Sequence, residues 1–124
     1  MDNSANDRSD FPRSCRLGTK SEFNQVFRSN RRYTDRNWTI LVCRSSSSNS
    51  KLGLAIAKKR AKRAVDRNRI KRIAREAFRH QQSGLNGYHL VIMNRDAAAR
   101  VCSRELRQSL DNLLNKIKHS NTST

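Results

Sequence analysis

A chain of 124 residues with a formal net charge of +17 is built for anionic partners, because its 27 Lys and Arg face only 10 Asp and Glu. Nucleic acid leads as the partner and a membrane surface follows; with no run of about 18 apolar residues, a transmembrane helix is excluded. The length suits one domain, and 35% hydrophobic content is enough for a modest core. Asp2, Asn3, Asn6 and Asp7 leave the amino terminus without the apolar centre of a secretion signal, so a cytoplasmic location is expected. Cys15, Cys43 and Cys102 are odd in number, far apart and without metal-ligand spacing, and they read as reduced thiols.

Residues 1–10 are polar and expected to be a disordered tail. Phe11-Pro12 opens an extended approach, since the residue before proline avoids the helical region. Thr19 and Glu22 form a capping box, predicting a helix over 20–29 with Phe23, Val26 and Phe27 on one face. Val26 reads as core. Phe23 and Phe27 read either as core or as a groove on which bases stack. Residues 31–35 fit a short strand, and 37–43 a clearer one through Trp38, Ile40, Leu41 and Val42. The serine-rich stretch 44–50 predicts a flexible hairpin loop. A third strand follows over 51–57, in which Gly53 marks a close approach or a bulge.

Residues 58–79 hold eleven of the 27 cations: Lys58, Lys59, Arg60, Lys62, Arg63, Arg67, Arg69, Lys71, Arg72, Arg75 and Arg79. Only Asp66 and Glu76 oppose them, and no Gly or Pro interrupts the run. At about 100° per residue, Ile70, Ile73, Ala74, Ala77 and Phe78 share one arc, and Asn68, Lys71, Arg72, Arg75 and Arg79 share the opposite one. The pattern predicts a helix over 61–80 with an apolar stripe for the core and a cationic stripe for something outside. Lys71–Arg75 and Arg75–Arg79 repel at i,i+4, by a few tenths of a kcal/mol per pair. A merely solvated face would gain from alternating Glu and Lys, so this one is read as the seat of an anionic partner.

Residues 81–87 predict a turn, 88–93 a strand buried on both faces, and 94–102 a loop in which Ala97–Ala99 form a helical turn. Ser103 is the expected N-cap of a final helix carrying Leu106, Leu110, Leu113, Leu114 and Ile117 at helical spacing. That helix should end near 118, leaving 119–124 as a frayed tail. Helix, strands, helix, strand, helix is the order of an α+β sandwich, a single domain over 11–118 with a mixed sheet. Its crossover would by general rule be right-handed.

Chemistry is scarce. His80, His89 and His119 each stand alone, and the acids form no D-x-D or paired-carboxylate motif for Mg²⁺. There is no phosphate-binding glycine loop either. No catalytic residue and no metal ligand is assigned, and the polypeptide does not read as a stand-alone catalyst.

Ala64-Val65-Asp66-Arg67-Asn68-Arg69-Ile70-Lys71-Arg72, followed by Arg75-Glu76 and Arg79, resembles the RNR signature of the protein subunit of bacterial ribonuclease P. Phe11-Pro12, Arg16-Leu17, Phe23, Val26-Phe27 and the run from Gly53 to Lys59 extend the resemblance over about 11–118. It implies a left-handed βαβ crossover. It implies a catalytic RNA subunit that carries the hydrolysis with Mg²⁺ held mainly by RNA. The protein would then bind ribonuclease P RNA and the 5′ leader of precursor tRNA, with no membrane, no DNA and no protein oligomer required. By the same resemblance, Arg67, Asn68, Lys71, Arg72, Arg75 and Arg79 face RNA, with Lys59 and Arg60 at the edge. Phe23, Phe27 and Trp38 form the leader groove. One departure is Leu41, where relatives carry an exposed Tyr; Leu cannot hydrogen-bond a leader base.

Other classes fit less well. A ribosomal or other structural RNA-binding protein would be as basic, without cleavage activity. A zipper-type DNA binder needs heptads after the basic region, and 81–87 breaks the chain instead. A membrane-surface helix needs large exposed apolar residues, whereas Ala74 and Ala77 suit close packing.

Overall fold

A computed structural model of the protein describes residues 16–28, 31–44 and 50–122, with side chains to 119. The tail over 1–10, the Phe11-Pro12 approach and most of the serine-rich loop lie outside the described residues. Helix α1 (Lys20–Phe27) starts where the capping box puts it. Thr19 Oγ1 accepts from the Glu22 N–H at 3.1 Å, and Glu22 Oε1 accepts from the N–H groups of Gly18 and Thr19 at 2.8 and 3.3 Å.

Four strands follow the predicted order: β1 (Arg31–Thr34), β2 (Trp38–Arg44), β3 (Lys51–Ala55) and β4 (Tyr88–Asn94). They form one mixed sheet in the order β1-β2-β4-β3. β2 pairs antiparallel with β1 and β4, and β3 pairs parallel with β4. Parallel neighbours need a crossover, here helix α2 (Ala64–Gln81). Helix α3 (Ser103–Thr122) closes the chain.

Alternation along the strands decides what each face meets. Trp38, Ile40 and Val42 of β2, with Tyr88, Leu90 and Ile92 of β4, pack under α2 and α3 through Ile70, Ala74, Phe78, Leu106, Leu110 and Leu114. Leu41 and Val91 point the other way and meet Val26 of α1, with Leu17 and Phe23 beside it. The result is the predicted α+β sandwich: two helices on one face of the sheet, one short helix on the other. Gly53 is a close approach and not a bulge. A Cβ there would stand 2.6 Å from the Phe23 ring, so only glycine lets that ring lie on the strand.

Several boundaries shift. The basic helix begins at Ala64, not 61. Lys58–Arg60 make a 3-10 turn, and Ala61, buried and non-helical, turns the chain before the helix starts. Strand β3 stops at Ala55, two residues short of the predicted end. Ser103 is the first residue of α3 and not its cap: the Cys102 carbonyl accepts the first helical bond, from Leu106 N–H at 3.0 Å. The same helix continues past 118 to Thr122, where a frayed tail was predicted. Once Ile117 is seated in the core, each added residue closes one more backbone hydrogen bond at little cost.

A candidate nucleic-acid interface

Helix α2 divides as its periodicity predicts. Ile70, Ile73, Ala74, Ala77 and Phe78 are buried; Asn68, Arg72 and Arg79 are exposed, and Lys71 and Arg75 half-buried. Both acids of the helix are turned to arginines off the cationic arc. Asp66 lies 3.9 Å from Arg69, whose guanidinium also donates to Val101 O at 3.1 Å and to the Ser103 hydroxyl. Glu76 lies 3.7 Å from Arg107 of α3, which also binds Asp111 at 3.2 Å. Both contacts draw these carboxylates toward arginines outside the arc. The side chains of Asn68, Lys71 and Arg72 make no hydrogen bond or ion pair among the described residues.

Predicted RNA contacts also carry structural bonds, among them Arg67, Arg60 and Arg79, whose Nη2 lies 3.3 Å from His80 Nε2. Arg67 is half-buried, and its Nη1 donates to the carbonyls of Ala61 and Lys62 at 2.9 and 2.8 Å. It ties down the turn before its own helix. Arg60 pairs with Asp96 at 3.2 Å on the exposed surface, the kind of pair worth about 0–1 kcal/mol and readily exchanged for phosphate. Lys59 is exposed on the same turn.

The opposite face of the sheet is only partly covered. The rings of Phe23 and Phe27 stack with centroids 6.3 Å apart, and Phe27 is 46% exposed. Beyond α1, a cleft of about 360 Å³ opens over Thr39, Ala55 and Met93, rimmed by Arg32, Arg60 and Arg95. Ala55 and Met93 also pack against the cluster that holds Phe23, so the aromatic pair and the cleft share a floor. Arg95 is set by its Nη1, which donates to Thr34 Oγ1 at 3.0 Å and to Asp35 O at 3.1 Å.

Trp38 does not belong to this groove. It is 0% exposed under α3, where its Nε1 donates to the Leu106 carbonyl at 3.1 Å. The reason is parity: Trp38 shares the core face of β2 with Ile40 and Val42, opposite α1. Thr39, Met93, Arg32 and Arg95 were missed as groove residues. The signal was in the sequence, because Thr39 and Met93 alternate with the core residues of their strands. Leu41 is buried beneath α1 and lies outside the cleft.

Beneath α1, Lys51 reaches Glu22 at 2.9 Å, and this hydrogen bond holds the Glu22 carboxyl below its ordinary range. His89 is buried with both ring nitrogens lacking a protein partner; burial, helped by Lys51, pushes its pKa down. Burial raises the Cys43 thiol, so the free cysteine there is a poor nucleophile. Among the described residues, no three His, Cys, Asp or Glu side chains gather as metal ligands, and no helix is long and apolar enough to cross a membrane.

Fold and site together define a small basic α+β protein with two cationic surfaces: a helix arc and an arginine-rimmed cleft beside the Phe23–Phe27 pair. The ribonuclease P family model matches residues 11–118, and the chain belongs to that family. It is 43% identical over 101 residues to the ribonuclease P protein component of Thioalkalivibrio sulfidiphilus, covering 82% of this chain and 84% of that one. It is likewise 43% identical over 103 residues to the Histophilus somni protein component, covering 83% and 87%. Among solved structures, the RNase P protein of Thermotoga maritima superposes with a TM-score of 0.71 at 26% identity, over 82% of this chain and 96% of that one. A Staphylococcus aureus RNase P protein mutant reaches 0.81 at 22% identity, over 95% and 98%, a likeness of fold.

Proposed function

We propose that the chain acts as the protein subunit of a ribonuclease P holoenzyme that removes the 5′ leader from precursor tRNA. The RNA subunit carries the hydrolysis and holds most of the Mg²⁺, and the assembly works in the cytoplasm. The observation that supports this best is the α2 arc, whose neighbouring acids Asp66 and Glu76 are both committed elsewhere. Asn68, Lys71, Arg72, Arg75 and Arg79 face RNA phosphates, with Arg as a bidentate donor and Lys as a point charge. Lys59 and Arg60 extend this surface to the cleft. Arg67 contributes its charge to the interface and two bonds to the turn.

The leader runs over Phe27 and Phe23 into the cleft, where bases stack on the rings and the rim arginines meet phosphates. The described residues do not fit Mg²⁺ as a resident ion. On the arc the one uncharged oxygen donor is the Asn68 amide, set among cations. No step is therefore assigned to a metal held by this chain.

Reconstitution tests the reading. The protein, added to a bacterial ribonuclease P RNA at low Mg²⁺, should restore cleavage of precursor tRNA at the mature 5′ end. Binding to that RNA without any gain in cleavage would instead describe a structural RNA-binding protein.

A further inference from the structure

Between the end of β3 at Ala55 and the start of α2 at Ala64 lie eight residues, and Lys58, Lys59, Arg60, Lys62 and Arg63 are five of them. Blocks of like charge repel and spread. This one is held at both ends by side chains from elsewhere. Arg67 grips Ala61 and Lys62 at the far end. At the near end stands Asn94, the last residue of β4, which is 2% exposed.

Asn94 spends its whole amide on one residue. Its Oδ1 accepts from the Ala57 N–H at 2.7 Å, and its Nδ2 donates to the Ala57 carbonyl at 3.4 Å. A side-chain amide offers donor and acceptor in one plane, as a peptide group does. Asn94 thus continues the β3–β4 ladder past the point where β3 leaves it. The Ala57 carbonyl also accepts from the Arg60 N–H at 3.2 Å, the bond that opens the Lys58–Arg60 turn. Asn94, Ala57 and Arg60 all line the cleft. An apolar residue here would suit the core face that Ile92 occupies one step earlier. The buried amide is worth its desolvation only because Ala57 satisfies it.

We propose that Asn94 is a positioning residue for single-stranded RNA: it acts through Ala57 to hold Arg60 as a cationic wall of the cleft, with Lys59 beside it on the same turn. This rests on reading the cleft as the leader site. Removal of this neutral side chain should then cost phosphate contacts made by its neighbours, a result that a purely structural role would not give.

The test uses holoenzyme assembled with Asn94→Leu or Asn94→Ala protein. Binding to precursor and to mature tRNA is measured across a salt series with cleavage blocked. Each phosphate neutralised on a single strand steepens log K against log[salt] by roughly 0.7. In the wild type, the precursor slope should exceed the mature slope by the leader contribution. In the variants that excess should shrink by at least one phosphate's worth, although no charge has been removed. Precursor affinity should fall about tenfold, with mature tRNA affinity unchanged. Adding Arg60→Ala to Asn94→Leu should cost much less than Arg60→Ala alone, because the two share one effect. A folded variant that keeps the full excess overturns the proposal. So do two variants that both fail to fold, since Asn94 would then serve the fold alone. Equal slopes in the wild type would overturn the leader reading itself, before any variant is made.

Discussion

Phe27 and Trp38 look alike in the sequence, yet one is 46% exposed on α1 and the other 0% exposed under α3. Their substitutions should separate cleanly. Phe27→Ala removes a stacking ring, and the holoenzyme should lose about 1–3 kcal/mol of precursor tRNA binding. Mature tRNA binding and the melting temperature should hardly move. Trp38→Ala empties a core site and should cost about 3–5 kcal/mol of stability, read by thermal or denaturant unfolding. A Phe27→Ala protein that melts as early as the Trp38→Ala protein would place Phe27 in the core. Trp38 was misplaced because its residue type suggests stacking while its strand parity dictates burial.

His89 is a second residue whose surroundings set the outcome. Its ring faces Cys43 on β2 and Lys51 on β3, with Glu22 above Lys51 on α1. Burial depresses its folded pKa below the ordinary value of 6.5, so the unfolded chain takes up the proton first. Its contribution to stability is full above the unfolded pKa and falls as pH drops through and below it. Glu22 is also depressed, by Lys51, but its loss comes at lower pH, below the ordinary carboxylate value of 4.5. Thermal unfolding at pH 7.5 and 5.5 should show the wild type weakening at the lower pH, and His89→Leu should flatten that change. Equal weakening in both proteins would assign it to other groups.

At the scale of elements, α2 was the most legible part of the molecule. Its period, its buried stripe and its cationic arc all follow from 3.6-residue spacing. Its first turn was not legible, because a dense basic run scores as helix throughout. Whether it starts at 61 or 64 depends on the burial of Ala61 and on Arg67 reaching back, both tertiary facts. The arc itself yields a prediction about counterions. Arg72 is exposed and unpaired among the described residues, so Arg72→Ala should leave stability unchanged within about 0.5 kcal/mol. It should lower the slope of log K against log[salt] for ribonuclease P RNA by about one. An unchanged slope would turn that side chain toward solvent. The ends of α3 were misread for a related reason, since Ser103 has the chemistry of a cap but is instead the partner of Arg69. The cleft was the least legible element. It is assembled from one or two residues on each of β1, β2, β3 and β4 together with Ala57, Arg60 and Arg95, which only the sheet order brings together.

Across the whole molecule, charge is distributed by what each acid is already doing. Three of the ten acids, Asp2, Asp7 and Asp10, lie outside the described residues. Of the other seven, six are committed. Glu22 binds Lys51, Asp66 lies by Arg69, Glu76 and Asp111 hold Arg107, and Asp96 pairs with Arg60. Asp35 accepts from the Asn37 and Trp38 N–H groups and from the Ser109 hydroxyl. Glu105, on the first turn of α3, is the one described acid outside these pairs. General acid–base work or a two-metal hydrolytic centre needs convergent carboxylates or a histidine within hydrogen-bond reach of the reacting atoms. Here the acids serve as counterions: Asp66 and Glu76 turn to Arg69 and Arg107, off the α2 arc, and Asp96 pairs with Arg60 at the cleft rim. His89 is sealed beneath α1 and His80 is engaged by Arg107 at 2.5 Å. The purified protein, free of RNA, should therefore leave precursor tRNA intact under conditions in which the reconstituted holoenzyme removes its leader. Correct 5′ cleavage by protein treated with micrococcal nuclease and then repurified would refute this, and would require a catalytic group that none of the described acids provides.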